Sequence, residues 1–440
     1  MSVNVINKLE SAAAGEAKPK VPRSKASAKV AFFGIFGIQN LGNECTLQAI
    51  VHNARERVVD GQLLAISFSP EDTLRRHNLT ALPMSFQDFS NVRPGRVARL
   101  LRILFKRIPG ELANWTKAIK RLRGTDLVVM TGTGMLTDYS TTAFSFPYHV
   151  FRWALAARLA GCRVRFVGVG VGPIYQRMSR QFIRWALKLA DYKSFRDEFS
   201  KSRIRGVYDS SKDHVFPDLA FSLPQVMFPP RRARGRQKQQ IGLGIMDHRD
   251  IHLFSGVEQE AEYSAYLDKM CEFVEWLIHH DYQVRILQGD AKHDPRARAD
   301  LKERLEKRGT RYEKAGIFDE GGSSVEELLE QLAQVDLIVS PRFHNLLLGM
   351  MMNIPAISIS YDPKSDALLE GMGLGRYRQE LFKLDVHLLV QHFIELQGRI
   401  QEVKPIIHEK ANYYRALLDQ QYDLIFGDVD RLAARRAKLQ

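Results

Sequence analysis

Short apolar runs alternate with amphipathic stretches along most of this chain. Val30–Ile38, VAFFGIFGI, is an apolar run of β type. A glycine-containing loop bounded by Gly37 and Gly42 follows, and Leu47, Ile50 and Val51 then begin a stripe at helical spacing. Gln62–Phe68 reads as the next strand. TDLVVMTGTGMLTD repeats the arrangement, with a strand at Leu127–Met130 and a polar loop at Thr131–Gly134. A helical stretch over Phe151–Gly161 leads to a further strand in CRVRFVGVGVGP. This alternation predicts an α/β fold with a parallel, doubly wound sheet.

Phe228–Gln240, FPPRRARGRQKQQ, breaks the pattern: it is rich in Pro and Arg and has no apolar period, so it reads as a linker. Beyond it the alternation resumes. IGLGIM, YQVRILQGD, DLIVS and AISISY read as strands; Tyr263–His280, Asp300–Arg308, Val325–Ala333 and the run through Met350–Met352 read as helices. Asp126 opens DLVVMTGTG and Asp336 opens DLIVSPRFH, so the halves echo each other. The expected organisation is a mobile basic leader over 1–28, a Rossmann-like domain over 29–228, a linker over 229–240, a second Rossmann-like domain over 241–403, and helices over 404–440 that pack back. Ligands of open α/β sheets bind at the carboxyl ends of the strands, so two such domains are expected to face each other across a cleft.

Charge and cysteine content narrow the setting. A chain of 440 residues with net charge +14 favours an anionic partner. Cys45, Cys162 and Cys271 lie far apart and form no CxxC pair or zinc spacing, which fits a reducing cytoplasm. No run approaches the roughly 18 apolar residues of a membrane span, and the first thirty residues lack the apolar core of a secretory signal. Arg93–Arg123 holds ten Lys or Arg and one acid, Glu111, interleaved with Leu100, Leu104, Phe105 and Trp115. It reads either as a basic helix lying on an anionic membrane surface or as a solvated helical face. No nucleic-acid-binding signature is present, so no nucleic acid partner is expected. His248 and His252 have i,i+4 spacing without a third ligand, and no metal is expected there.

Several polar groups stand where strands end. GIQNLGNE places Asn40 and Gly42 in the first glycine loop, and TGTG places Gly132 and Gly134 in the second. Backbone amides at such loops suit anions, although ordinary βα turns read the same way. Arg196 follows the short strand YKSF and is flanked by Asp197 and Glu198, so it is either a ligand cation or part of a local ion pair. In SPRFHN, Arg342 and His344 follow a buried strand directly. A guanidinium fork matches carboxylate or phosphate, and an imidazole can move a proton near neutral pH; the plainer reading is a helix-initiating turn capped by Ser340. Lys364 in YDPKSD ends the next strand.

Taken in order, GIQNLGNECTLQAI, DLVVMTGTGMLTD, SFRDEFS, SPRFHNLLLGMMMNIPAISISYDPK and GMGL resemble the motifs of the polysaccharide pyruvyl transferase family, over roughly Lys29–Leu374. Three positions depart from its pattern: Asn43 stands where Asp is usual, Thr133 interrupts a glycine triplet, and Pro341 precedes Arg342. The resemblance implies two Rossmann-like domains arranged as in GT-B glycosyltransferases. It implies transfer of pyruvate from phosphoenolpyruvate, a co-substrate, onto two hydroxyls of a sugar as a ketal, with no further cofactor. It further implies His344 and Arg342 as catalytic groups, and Arg196, Lys364, Gly132, Gly134, Asn40 and Gly42 as substrate-binding groups. The acceptor would be a glycan or a lipid-linked oligosaccharide of exopolysaccharide synthesis, handled in the cytoplasm or at the inner face of the membrane. The alternative on the same fold is a glycosyltransferase using a nucleotide sugar, with Glu326 or Glu327 taking the ribose.

Overall fold

A computed structural model describes residues 27–58, 60–85, 108–139, 141–231, 238–249, 256–291 and 293–438. The first sheet contains β1 (Lys29–Phe33), β2 (Gln62–Ser67), β3 (Ala81–Pro83), β4 (Leu127–Thr131), β5 (Arg163–Val169), β6 (Tyr192–Phe195) and β7 (His214–Val215). They lie in the order β3-β2-β1-β4-β5-β6-β7, all parallel. Its helices are α1 (Leu41–Arg57), α2 (Pro70–His77), α3 (Ile108–Leu122), α4 (Phe146–Leu159), α5 (Arg177–Lys188) and α6 (Glu198–Ile204). The second sheet contains β8 (Gln240–Gly244), β9 (Gln283–Leu287), β10 (Ile317–Phe318), β11 (Leu337–Ser340), β12 (Ala356–Ser360) and β13 (Arg378–Glu380), in the order β10-β9-β8-β11-β12-β13, again parallel. Its helices are α7 (Gly256–His279), α8 (Asp294–Lys307), α9 (Val325–Ala333), α10 (Phe343–Met351) and α11 (Pro363–Gly371). Strand order reverses between β1 and β4 and again between β8 and β11, and such switch points are where open α/β sheets generally take their ligands.

The central strands are mostly apolar and buried along their length because helices cover both faces. LVVMT of β4 and AISIS of β12 are buried at every residue. The two aspartates that open the echoed segments do the same work in each lobe. The Asp126 carboxylate accepts from the Lys29 N–H at 2.8 Å while the Asp126 N–H donates to the Lys29 carbonyl. Asp336 makes the matching pair with Gln240, its carboxylate accepting at 3.0 Å. Each clamps the start of the first strand of its lobe to the start of a neighbour.

Sequence expectations shift at several element ends: the helix expected from Phe151 begins at Phe146, and the one expected from Tyr263 begins at Gly256. The run Val30–Ile38 is a strand only to Phe33, because the chain folds back and lays the Phe36 ring where a Cβ on Gly34 would stand, at 2.3 Å. The helix expected from Asp300 begins at Asp294, with Pro295 in its first turn where the missing N–H costs nothing. β3, β7, β10 and β13 are two or three residues long and leave no periodic signal.

After α12 (Val386–Gly398) come α13 (Ile400–Phe426) and α14 (Val429–Ala437), which return to the first lobe. Arg57 on α1 donates to Asp423 at 3.0 Å, and Arg165 on β5 donates to both oxygens of Asp428 at 2.7 and 2.8 Å. One hydrophobic cluster runs from Phe32 and Ile50 through Leu219 and Phe221 to Ile241, Leu347 and Tyr422. The lobes therefore share packed apolar contact. Most of the expected leader (1–26), part of the linker (232–237), most of the basic segment (93–107) and His252 fall outside the described residues.

Candidate active site

The two lobes meet along the carboxyl ends of their strands. Asn40 caps α1, its Oδ1 accepting from the Asn43 N–H at 3.3 Å, and its Nδ2 donates across the interface to Asp290 at 3.2 Å. The Ala291 N–H donates to the Gln39 carbonyl at 3.1 Å. Gly42, in the first turn of α1, lies directly against His344 of the opposite lobe: a Cβ added to it would stand 2.0 Å from His344 Nδ1 and 2.3 Å from Cε1. Only glycine leaves room for that imidazole. Glu44, two residues on, turns inward, accepting from the Gly37 N–H at 2.9 Å and bonding His77 at 2.8 Å.

His344 is the second residue of α10, which starts at the end of buried β11. Its Nδ1–Cε1 edge rests on Gly42, and its Nε2 is buried with no hydrogen-bond partner among the described residues. Burial holds its pKa down to about 4; Asp218 pulls it up, and Arg196 and Lys364 push it down. The ring is therefore neutral at pH 7, and the causes of its shift identify its charged neighbours.

Arg196 follows β6 and sits against the backbone of Gly170, where a Cβ would approach the guanidinium to 2.7 Å. Its Nε lies 3.3 Å from Asp197, its Nη1 lies 3.6 Å from Asp218, and its guanidinium stands 5.4 Å from the centre of the Phe343 ring. Neither carboxylate is in close bidentate contact, so the guanidinium fork is not used up. Lys364 opens α11 after β12, with Nζ 3.3 Å from Asp362. Burial raises the Asp362 carboxyl, but Lys364 outweighs it and the group stays below the usual carboxylate range. Arg196 and Asp218 from the first lobe, Phe343 and Lys364 from the second, and Tyr414 from α13 line one cavity of about 340 Å³. His344 stands beside this cavity and does not form its wall.

The other sequence candidates divide. Arg342 was expected as a catalytic group together with His344. Its guanidinium instead turns away, pairing with Asp294, which is 0% exposed, while its stem lies over Gly289. Asp294 also accepts from the Gly289 and Asp290 N–H groups at 2.9 and 2.7 Å, so Arg342 braces the loop that reaches Asn40. Gly132 passes 2.6 Å beneath the Gly168 carbonyl, measured from a built Cβ, a close approach of two strand ends. A Cβ on Gly134 would meet nothing within 4 Å, so this position alone of the glycine loop opens into free space. Asn40 is engaged as a tie between lobes.

Sequence reading passed over Asp218, Gly170 and Phe343. Asp218 is 4% exposed; its Oδ1 caps the turn Leu219–Ser222, accepting from the Ala220 N–H at 3.0 Å, while Oδ2 has no hydrogen-bond partner among the described residues. Its signal was faint, an acid in FPDLAF after a two-residue strand. The expected ribose acids of a nucleotide-sugar site are occupied. Glu327 closes a capping box with Ser324, and Glu326 accepts from Gln48 of the first lobe at 2.7 Å. His248 is packed among Tyr263, Tyr266 and Phe382, and burial lowers its pKa to about 4. No group of three His, Cys, Asp or Glu among the described residues is placed to hold a metal ion. A wider pocket of about 610 Å³ near Arg123, Arg158, Arg163 and Arg435 lies at the amino ends of β4 and β5, away from the loops that meet between the lobes.

Two doubly wound domains with facing carboxyl edges define the GT-B class of fold. A glycosyltransferase from Rickettsia africae shares it at a TM-score of 0.55, with 13% identity over 92% of this chain and 98% of that one. A UDP-GlcNAc 2-epimerase from Methanocaldococcus jannaschii does so at 0.52, with 13% identity over 83% of this chain and 91% of that one. At such identity the likeness concerns the fold alone. Among curated proteins, none matches the sequence. Residues 40–363 match the polysaccharide pyruvyl transferase family, and the chain belongs to that family.

Proposed function

We propose that this enzyme transfers the pyruvyl group of phosphoenolpyruvate onto two hydroxyls of one sugar, in a polysaccharide or its lipid-linked precursor, forming a ketal and releasing phosphate. The observation that carries the reading is the meeting of Arg196 and Lys364, from opposite lobes, at one cavity beside a neutral His344. The donor bears a carboxylate and a phosphate on one enol carbon. A planar guanidinium suits one anion in bidentate fashion and an ammonium suits the other as a point charge.

The proton inventory follows from the resting state. A neutral His344 gains basicity when a polyanionic donor binds nearby, and so takes up a proton. It delivers that proton to the enol methylene, which becomes a methyl group and leaves an oxocarbenium-like carbon. The first sugar hydroxyl adds there and returns its proton to the ring. Phosphate departs with the bridging oxygen, and the second hydroxyl closes the ketal in its place, its proton leaving with the phosphate. Asp218, a charged neighbour of the ring, steadies the imidazolium before the first transfer and after the second. Arg342 is a positioning residue here, holding the His344 loop through Asp294.

On this reading the enzyme works in the cytoplasm, at the inner membrane face when its acceptor is lipid-linked. No helix among the described residues is long and apolar enough to cross a membrane. The test is incubation with phosphoenolpyruvate and a glycan diol, with phosphate assayed and the product examined for a ketal methyl signal by NMR. Phosphate release that requires the diol, and is lost in His344→Ala, supports the assignment. Failure of the wild-type protein to bind phosphoenolpyruvate by calorimetry refutes it.

A further inference from the structure

The outer surface of α3, α4 and α5 carries an apolar and cationic face that the reaction above does not use. Phe144 is 68% exposed, Leu112 62%, Met178 42% and Trp185 40%. These are contiguous rather than scattered. Phe182 lies under both Phe144 and Trp185, at ring distances of 5.5 and 6.0 Å, and Phe151 links Trp185 to Trp115 at 5.3 and 6.3 Å. On α5, Arg177, Arg184 and Lys188 form one stripe at helical spacing, and Met178 and Trp185 form the stripe beside it. Ser179, Phe182, Ile183, Ala186 and Leu187 make the opposite, buried face.

Charge decides what such a face meets. The three helices contain a single acid, Glu111, and it is already bound by Arg152 and Tyr148, each at 2.8 Å. Arg177 and Lys188 have no acidic partner among the described residues. Exposed aromatic and sulfur side chains beside unpaired cations are the pattern of a helix lying in the interface of an anionic bilayer. A protein partner would have to bring a large acidic and apolar surface together; a leaflet of anionic lipid has both by construction. We propose that this face of α3, α4 and α5 docks on a bilayer of anionic phospholipid.

Topology adds where the docked enzyme points. Each of these helices runs antiparallel to its strands and so begins at the carboxyl edge of the first sheet, the edge that bears Arg196. Phe144 lies just before a first turn and Met178 within one, at that same edge, and Leu112 stands in the second turn of α3. Docking therefore sets the opening between the lobes close to the headgroups, where a lipid-linked glycan presents its sugars. Binding itself does not depend on the reaction proposed above.

The experiment is flotation of the full chain with vesicles of phosphatidylcholine alone and of phosphatidylcholine with an equal part of phosphatidylglycerol, at low and high salt. Binding is expected only to the anionic vesicles and is expected to weaken with salt. Arg177→Gln/Lys188→Gln should lower the partition coefficient roughly 30-fold, and Phe144→Ser/Met178→Ser by on the order of tenfold, with circular dichroism unchanged. Absence of binding to anionic vesicles at low salt overturns the proposal. So does equal binding by both double variants, or a dimer in sedimentation velocity that Phe144→Ser/Met178→Ser dissociates. Because no substrate is present, failure here leaves pyruvyl transfer standing, and vesicle binding by an enzyme inert toward phosphoenolpyruvate separates the two in the other direction.

Discussion

Replacing Gly42 by alanine puts a methyl group into a close contact between the lobes. The added Cβ would lie 2.0 Å from His344 Nδ1 and 2.7 Å from Cγ, so the ring or the start of α1 must move by about an ångström or more to reach ordinary contact. Two effects of opposite sign compete. Alanine is the better helix residue, by about 0.5–1 kcal/mol. Overpacking a filled site costs about 1–3 kcal/mol, and it wins, so Gly42→Ala should destabilise the protein by about 1–2 kcal/mol. In a His344→Ala background the imidazole is gone and the methyl enters its space. Only the helix term then remains, and the same substitution should be neutral or stabilising. Urea unfolding of the four proteins measures this sign reversal, a coupling of about 1–3 kcal/mol. The turnover of Gly42→Ala should also fall, by about 10²-fold for an ångström of misplacement. An equal stability change in both backgrounds would show that Gly42 and His344 do not touch, and the interlobe geometry drawn above would be wrong.

Four other outcomes follow from the same geometry. Arg196→Lys should weaken phosphoenolpyruvate binding by roughly 10- to 100-fold, the loss of one charge-assisted bond; unchanged affinity in calorimetry removes Arg196 from the donor site. Arg342→Ala should cost about 3–5 kcal/mol in unfolding experiments by stranding the buried Asp294 carboxylate, and Arg342→Met/Asp294→Asn should recover part of it, because a neutral amide oxygen still accepts from the Gly289 and Asp290 N–H groups; a cost below about 1 kcal/mol would mean the pair is not formed. His149, His248 and His344 are all held neutral, near pKa 4, chiefly by burial. Their folded-state values lie below the ordinary 6.5, so the unfolded chain takes up protons first. Their stabilising contribution is complete above pH 6.5 and is lost as pH falls toward 4. Tm should drop across that window, and a flat Tm there refutes the neutral assignment. By the same logic phosphoenolpyruvate binding should take up a proton near pH 6, visible in calorimetry as a heat that depends on the buffer and vanishes in His344→Gln.

Sequence by itself determined the doubly wound character of both halves. Period and burial are local properties: β4 and β12 are buried throughout and mostly apolar because both their faces are covered, and such a run is legible without a partner. It also placed Arg196, His344 and Lys364 at strand ends, where a parallel sheet presents its loops. The edge strands escaped it because two or three residues carry no period.

Tertiary structure decided which of those strand-end groups share a space. Arg342 and His344 are two residues apart, yet one turns to Asp294 and the other to Gly42, since the direction of a side chain at a helix start depends on what the opposing lobe leaves open. Asp218 joins Arg196 only because β6 and β7 lie side by side. Gly42 reads as a ligand loop in the chain and as clearance for an imidazole in the fold. A pattern along one strand reports what that segment must bury, whereas distances between lobes arise from contacts hundreds of residues apart that no local period encodes.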